Sequence, residues 1–130
     1  MTLLSVRLGT NDLDKARRFY DATFAALGLG PSQAPAGAPM LMYSMGNGPR
    51  LIVGPARDGA PATHANGGTI LFDAPNPEAV DAWHAAGVAN GGSACEDPPG
   101  PRPQARGAYG AYLRDPDGNK LGVYCGLFGK

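Results

Sequence analysis

The order strand, helix, run of strands occurs twice in these 130 residues, and that repetition constrains the fold more than any other feature of the chain. Residues 2–8 alternate, with Leu4, Val6 and Leu8 on one face and Leu3, Ser5 and Arg7 on the other, as in a strand covered on one side. A helix is expected next. Asn11 and Asp14 have capping-box spacing, Asp12 and Asp14 suit the positive end of a helix dipole, and Leu13, Ala16, Phe19/Tyr20, Phe24 and Leu27 recur at helical intervals before Gly28. Residues 40–45 and 50–53 then flank Gly46-Asn47-Gly48-Pro49, which reads as a hairpin.

The second half follows the same plan. Residues 69–73 read as a strand, Asn76 as a helix cap with Pro77 at the first helical position, and Val80, Trp83 and Ala86 or Gly87 as the buried stripe. After a proline-rich loop, residues 108–114 and 120–125 form a second hairpin. Its turn is Asp115-Pro116-Asp117-Gly118, where Pro116 pre-sets φ and Gly118 can take a positive one. The join falls near residues 55–68. One domain over 1–130 is therefore expected, with modules of about 1–57 and 66–130.

Composition narrows the partners. Eleven basic and eleven acidic side chains cancel without forming a run, so no footprint for nucleic acid or an anionic membrane is present. No apolar stretch approaches the ~20 residues that span a bilayer. Two cysteines, Cys95 and Cys125, lack CxxC spacing, and no charged-then-apolar leader opens the chain. Free thiols in a reducing cytoplasm are the expectation. Twenty Gly and thirteen Pro are many, yet they cluster between the periodic segments, where turns belong.

Three segments together carry a family resemblance: "TNDLDKARRFYDATFAALGLG", "NGGTILFDAPNPEAVDAWHAAG" and "GAYGAYLRDPDGNKLGVYC". In this order, along nearly the whole chain, they resemble the vicinal oxygen chelate superfamily of glyoxalase I, bleomycin-resistance proteins and extradiol dioxygenases. The resemblance implies an α+β fold of two βαβββ modules whose curled mixed sheets enclose a cavity, commonly completed by dimerisation or by intrachain pairing of modules; a homodimer is expected. It also implies where a divalent metal would be held in metal-dependent members: by two histidines and a glutamate. Those positions fall on Ser5, Thr69 and Gly122 here, and none is a usual ligand.

Other residues do not restore the set. His64 lies in a loop, His84 follows Trp83 on the second helix, Glu78 suits a helix start and Glu96 lies in the proline-rich loop. The expected cofactor is therefore none, with a divalent metal held by other ligands as the alternative.

Strand alternation places Ser5 with Arg7, Thr69 with Leu71 and Asp73, and Lys120 with Gly122 and Tyr124 on the cavity side. Arg7 either anchors an anionic ligand oxygen or pairs with Asp73; both roles are open. Tyr43, Tyr109 and Tyr124 either line the pocket or pack in the core, whereas Tyr112 and Trp83 are expected in the core. Arg102 and Arg106 read as surface residues of a loop near the cavity mouth. Cys125 is expected to be an inert packed thiol. Ser5, Arg7, Tyr43, Thr69, Tyr109, Gly122 and Tyr124 are thus the candidate ligand-binding residues, with the space beside Tyr124 the first place to look. The expected function is metal-free binding or sequestering of a small anionic or polar aromatic molecule. A glyoxalase-like lyase, isomerase or dioxygenase is the alternative, since fold alone does not decide activity.

Overall fold

The structure, a computed structural model, describes residues 2–128. It is an α+β fold of two helices and two mixed sheets. The first sheet contains β1 (Ser5–Gly9), β2 (Leu41–Ser44) and β3 (Arg50–Gly54), with α1 (Leu13–Ala26) between β1 and β2. The second contains β4 (Ile70–Ala74), β5 (Ser93–Pro101), β6 (Tyr109–Arg114) and β7 (Lys120–Cys125), with α2 (Pro77–Ala89) after β4. Strand order is β1-β3-β2 in one sheet and β4-β7-β6-β5 in the other. In each, the first strand of the module pairs in parallel with the last: Val6 lies opposite Leu51, and Ile70 opposite Leu121. The duplicated element order is therefore a duplicated topology.

The copies differ at one strand. Where the second module has β5, the first has residues 28–40, rich in Gly and Pro and unable to sustain a ladder. What remains is one backbone bond, Gln33 N–H to Met42 C=O at 2.7 Å, while Ser32 Oγ accepts from Met42 N–H. Conversely, the stretch 98–101, expected as loop, belongs to β5. It tolerates prolines because β5 is an edge strand, and its register with β6 shifts between Cys95 and Gly100.

Local chemistry starts both helices. Asn76 caps α2 by accepting from Ala79 N–H at 2.9 Å, with Pro77 in the first turn as expected. The cap of α1 is Asp12, which accepts from Lys15 N–H at 3.0 Å, rather than Asn11. Asn11 instead exchanges two hydrogen bonds with Ala62, in the connection between modules. It was spent on a long-range contact, which spacing cannot reveal.

The helices pack on each other and cover one side of the sheets. Phe19, Tyr20, Phe24, Val53, Trp83, Leu113 and Val123 are fully buried there. Phe24 meets Phe72 edge-on at 5.2 Å, joining the modules through their core. A polar seal completes the join. Asp115, itself buried, accepts from the Tyr20 hydroxyl; Asn119 donates to Gly9 C=O at 3.1 Å; and Asn11 N–H donates to Asp117 at 2.9 Å. Among the described residues no helix covers the opposite side of either sheet and no closed barrel forms, although on the second sheet that side is shielded enough to leave Tyr124 only 3% exposed. Among the described residues, no helix is long and apolar enough to cross a membrane.

Candidate functional site

The helix-free face of the second sheet holds the most organised group of polar and aromatic side chains. Across β6 and β7, Tyr112 lies opposite Gly122 and Gly110 opposite Tyr124. Each tyrosine ring lies over the glycine facing it. A Cβ on Gly122 would stand 2.7 Å from Tyr112 Cε1, and one on Gly110 would stand 2.4 Å from Tyr124 Cδ1. The rings meet edge-to-face at 5.8 Å, and their hydroxyls hydrogen-bond at 2.9 Å. One of the two hydroxyl protons is used in that bond, so the other can serve a ligand. Burial, then the bond to Tyr112, pushes the Tyr124 hydroxyl up to about 12, so it stays protonated at neutral pH.

Gly122 is therefore a seat for side chains and not a vacancy. Besides Tyr112, Leu71 from β4 occupies the space, with Leu71 Cδ2 only 2.6 Å from where a Cβ would be. Cross-strand register sets Leu71 against Gly122 and Asp73 against Tyr124, extending the face to the free edge of β4.

Beyond that edge lies a cleft of about 360 Å³ between the modules. Val6, Leu51, Ile70 and Phe72 from the strands, Leu27 and Leu29 after α1, and Met45 make it apolar; Arg50 and Asp73 bring charge. Leu71 and Asp73 belong to both the cleft and the tyrosine face. The cleft and the tyrosine face thus share Leu71 and Asp73, while the two tyrosines themselves do not line the cleft.

Two cations flank Tyr112. Lys120 Nζ is 4.9 Å from the ring centroid and pairs with Glu96 at 2.5 Å. Arg102 Cζ is 6.0 Å from the same centroid. Only 4% of Arg102 is exposed, and its Nη atoms each donate at 2.8 Å, to Pro98 C=O and Asp97 C=O, while Nε has no partner. These carbonyls belong to the β5 bulge, where Glu96 takes a left-handed φ of 62°.

The other candidates fall elsewhere. Ser5 and Arg7 are exposed on the first sheet, and Arg7 donates to Pro55 C=O at 3.0 Å. Among the described residues the ion pairs are Arg17 with Asp14 and Lys120 with Glu96, so the anticipated Arg7–Asp73 pair does not form. Thr69 is exposed just before β4, two residues from Leu71. Tyr43 is 1% exposed and donates to Asp21 at 2.7 Å; burial and that bond raise its pKa. Tyr109 packs against the core and donates to Asp81 at 2.7 Å, a bond that raises its pKa. Tyr43 and Tyr109 therefore point to the helix side.

The expected face of Tyr112 is reversed, and of the two roles open to Tyr109 it takes core packing. Residues directly opposite in a hairpin share a face, and the pairing of Arg114 with Lys120 puts Tyr112 with Gly122. Carrying that register across the turn would have found Tyr112 from sequence. Nothing comparable marks Arg102. Its burial depends on the β5 bulge.

The chain's own residues do not fit the family's divalent metal. Ser5 and Thr69 bring hydroxyls, and Gly122 brings no donor and sits beneath Leu71 and Tyr112. His64 packs its ring on Gly118, and His84 is pulled down by burial and by the charge of Arg102. Among the described residues, no three His, Cys, Asp or Glu side chains converge as a ligand set.

Two βα-modules joined through their helices, each leaving one sheet face free of helices, define a class of small α+β proteins. The chain belongs to the Glyoxalase/Bleomycin resistance protein/Dioxygenase superfamily, whose family model matches residues 2–123. A glyoxalase/bleomycin resistance protein from Albidiferax ferrireducens T118 is similar at 44% identity, with a TM-score of 0.88 over 96% of this chain and 99% of that one. A lactoylglutathione lyase from Agrobacterium tumefaciens is similar at 25% identity, with a TM-score of 0.66 over 98% and 96% of the two chains. A glyoxalase-related enzyme from Fulvimarina pelagi shares the fold at 23% identity, with a TM-score of 0.74 over 95% and 87%. Among curated proteins, none matches the chain.

Proposed function

We propose that this protein binds or sequesters a small, largely apolar molecule carrying a polar or acidic oxygen, using no metal ligands of its own. The observation that carries this reading is the apolar cleft, two of whose lining residues, Leu71 and Asp73, stand in register with Gly122 and Tyr124 of the tyrosine face. Its volume lies within the ~300–1,000 Å³ of small-molecule sites, and such sites combine an apolar lining with a few orienting polar groups. The cleft would take the apolar body of the ligand. The free hydroxyl proton of the tyrosine pair would orient its oxygen.

A second copy completing the open faces is part of the proposal. It is supported by the exposure of Leu71, at 43%, and of Leu4, at 77%. So is a cytoplasmic setting, in keeping with free Cys95 and Cys125.

Thermal shifts measured over a panel of phenols, benzylic alcohols and aromatic acids, in buffer containing EDTA, test the binding reading. At least one class should stabilise the wild type in the presence of the chelator and lose most of that effect in the Tyr112→Phe/Tyr124→Phe double variant, which leaves neither hydroxyl. A panel that gives no shift, or a shift that requires an added divalent ion, would overturn it. Sedimentation should find a dimer; a monomer at high concentration removes the second copy.

A further inference from the structure

Arg102 is a buried cation without a counter-ion. No carboxylate lies within ion-pair distance of it among the described residues, where the pairs are Arg17 with Asp14 and Lys120 with Glu96. Two backbone carbonyls satisfy one N–H on each Nη, and Nε–H points at no acceptor. Carbonyl dipoles do not neutralise a full charge, and a buried guanidinium lacking an anion is costly to the fold. Lys120, on the other flank of the same ring, already has Glu96. The imbalance is specific to Arg102.

Its surroundings point outward to the site already described. The guanidinium lies 6.0 Å from the Tyr112 ring centroid, and the Tyr112 hydroxyl is bonded to that of Tyr124. Above it is the β5 bulge, held down by Arg102 itself through Asp97 and Pro98 and by the Lys120–Glu96 pair. An edge strand interrupted at Cys95–Gly100 can lift locally, because few ladder bonds oppose the movement.

We propose that Arg102 is the anchor for an organic carboxylate, whose oxygen takes the Nε–H of Arg102 and the free hydroxyl proton of the Tyr112–Tyr124 pair. This rests on the reading of that face as a ligand site and adds the charge class of the ligand. A carboxylate supplies the missing counter-ion and the missing acceptor together, and guanidinium geometry suits it. A neutral amide isostere supplies an acceptor but no counter-charge.

The probes are benzoate and benzamide, equal in size and different in charge. Binding is followed by thermal shift and by the Arg Nε–H resonances in a proton–nitrogen correlation spectrum. Benzoate should bind about tenfold or more tightly than benzamide, as charge-assisted bonding implies. It should also move the Arg102 Nε–H signal. In Arg102→Met the preference should collapse to within about twofold, with benzoate losing much more affinity than benzamide, since only benzoate loses a charge-assisted contact. Arg102→Lys keeps the charge but not Nε, and should retain only part of the preference; it also stands in if Arg102→Met does not fold.

Equal binding of both probes with a still Arg102 signal would overturn the carboxylate anchor and leave the site standing. A preference abolished by Arg7→Met instead would do the same. Failure of both probes to bind anywhere on the tyrosine face would overturn the anchor and the site together.

Discussion

Replacing Gly122 by alanine tests whether this position is a packed seat or open space. The added Cβ would lie 2.6 Å from Leu71 Cδ2 and 2.7 and 2.8 Å from Tyr112 Cε1 and Cδ1, well inside normal contact. All three atoms belong to side chains and none to backbone, so the tyrosine ring and the leucine can swing aside without the strand moving. Overpacking of this kind costs about 1–3 kcal/mol. Alanine recovers about 0.5–1 kcal/mol relative to glycine within a strand. The net expectation is a loss of about 1–2 kcal/mol, or roughly 3–6 °C in Tm for a domain of this size. As Tyr112 swings away, its bond to Tyr124 breaks, and the Tyr124 pKa should fall from about 12 toward its ordinary value. Denaturant unfolding gives the first quantity and ultraviolet titration of tyrosinate the second. Adding Leu71→Ala should recover part of the loss through coupling of about 1 kcal/mol between touching residues. Gly110→Ala should be worse than Gly122→Ala, because there the Cβ also meets Val123 C=O at 2.8 Å and backbone cannot swing. A Gly122→Ala protein as stable as wild type, with Tyr124 unmoved, would refute the packing argument.

Three further outcomes are expected. Tyr20→Phe should cost about 1.5–3 kcal/mol in chemical denaturation, since it removes a hydrogen bond to a buried carboxylate that joins the two modules. Asp115 is raised above its ordinary pKa by burial, against the opposing pull of its bonds from Tyr20, Asn119 and Asp117, so the folded chain holds its proton longer than the unfolded chain. Its contribution to stability is therefore fully present below about pH 3.8, the unfolded value, and is lost as pH rises through the raised folded value. Asp115→Asn should flatten that acid-side slope in a pH series of unfolding curves. The same variant should lower overall stability near neutrality, because its amide would face Asn119 Nδ2, a donor, where Oδ2 now accepts. Finally, Gly122→Glu should destabilise the protein without creating divalent-metal affinity in calorimetric titration, since Ser5 and Thr69 supply no imidazole.

Much of the architecture was legible because it is written in local chemistry. Asn76-Pro77 starts α2, Asp115-Pro116-Asp117-Gly118 turns β6 into β7, and the order of elements repeats. Where local chemistry was ambiguous, long-range contacts decided. Asn11 and Asp12 can both cap a helix, and the tie to Ala62 took Asn11 away. Tyr112 lies on the face opposite to the one expected because side-chain direction in a hairpin follows from register, and a parity slip inverts every assignment on the strand.

The sequence by itself determined that Ser5, Thr69 and Gly122, the positions that the family resemblance implies for a metal, bring no imidazole or carboxylate, since donor chemistry is a property of residue type. It also determined the paired modules, since turn and cap signals act over a few residues. Only the tertiary structure decided what those positions became. Cross-strand register places Tyr112 and Leu71 over Gly122, and the β5 bulge buries Arg102 beside them. Both depend on contacts between elements far apart in the chain, and no pattern within a single segment records them.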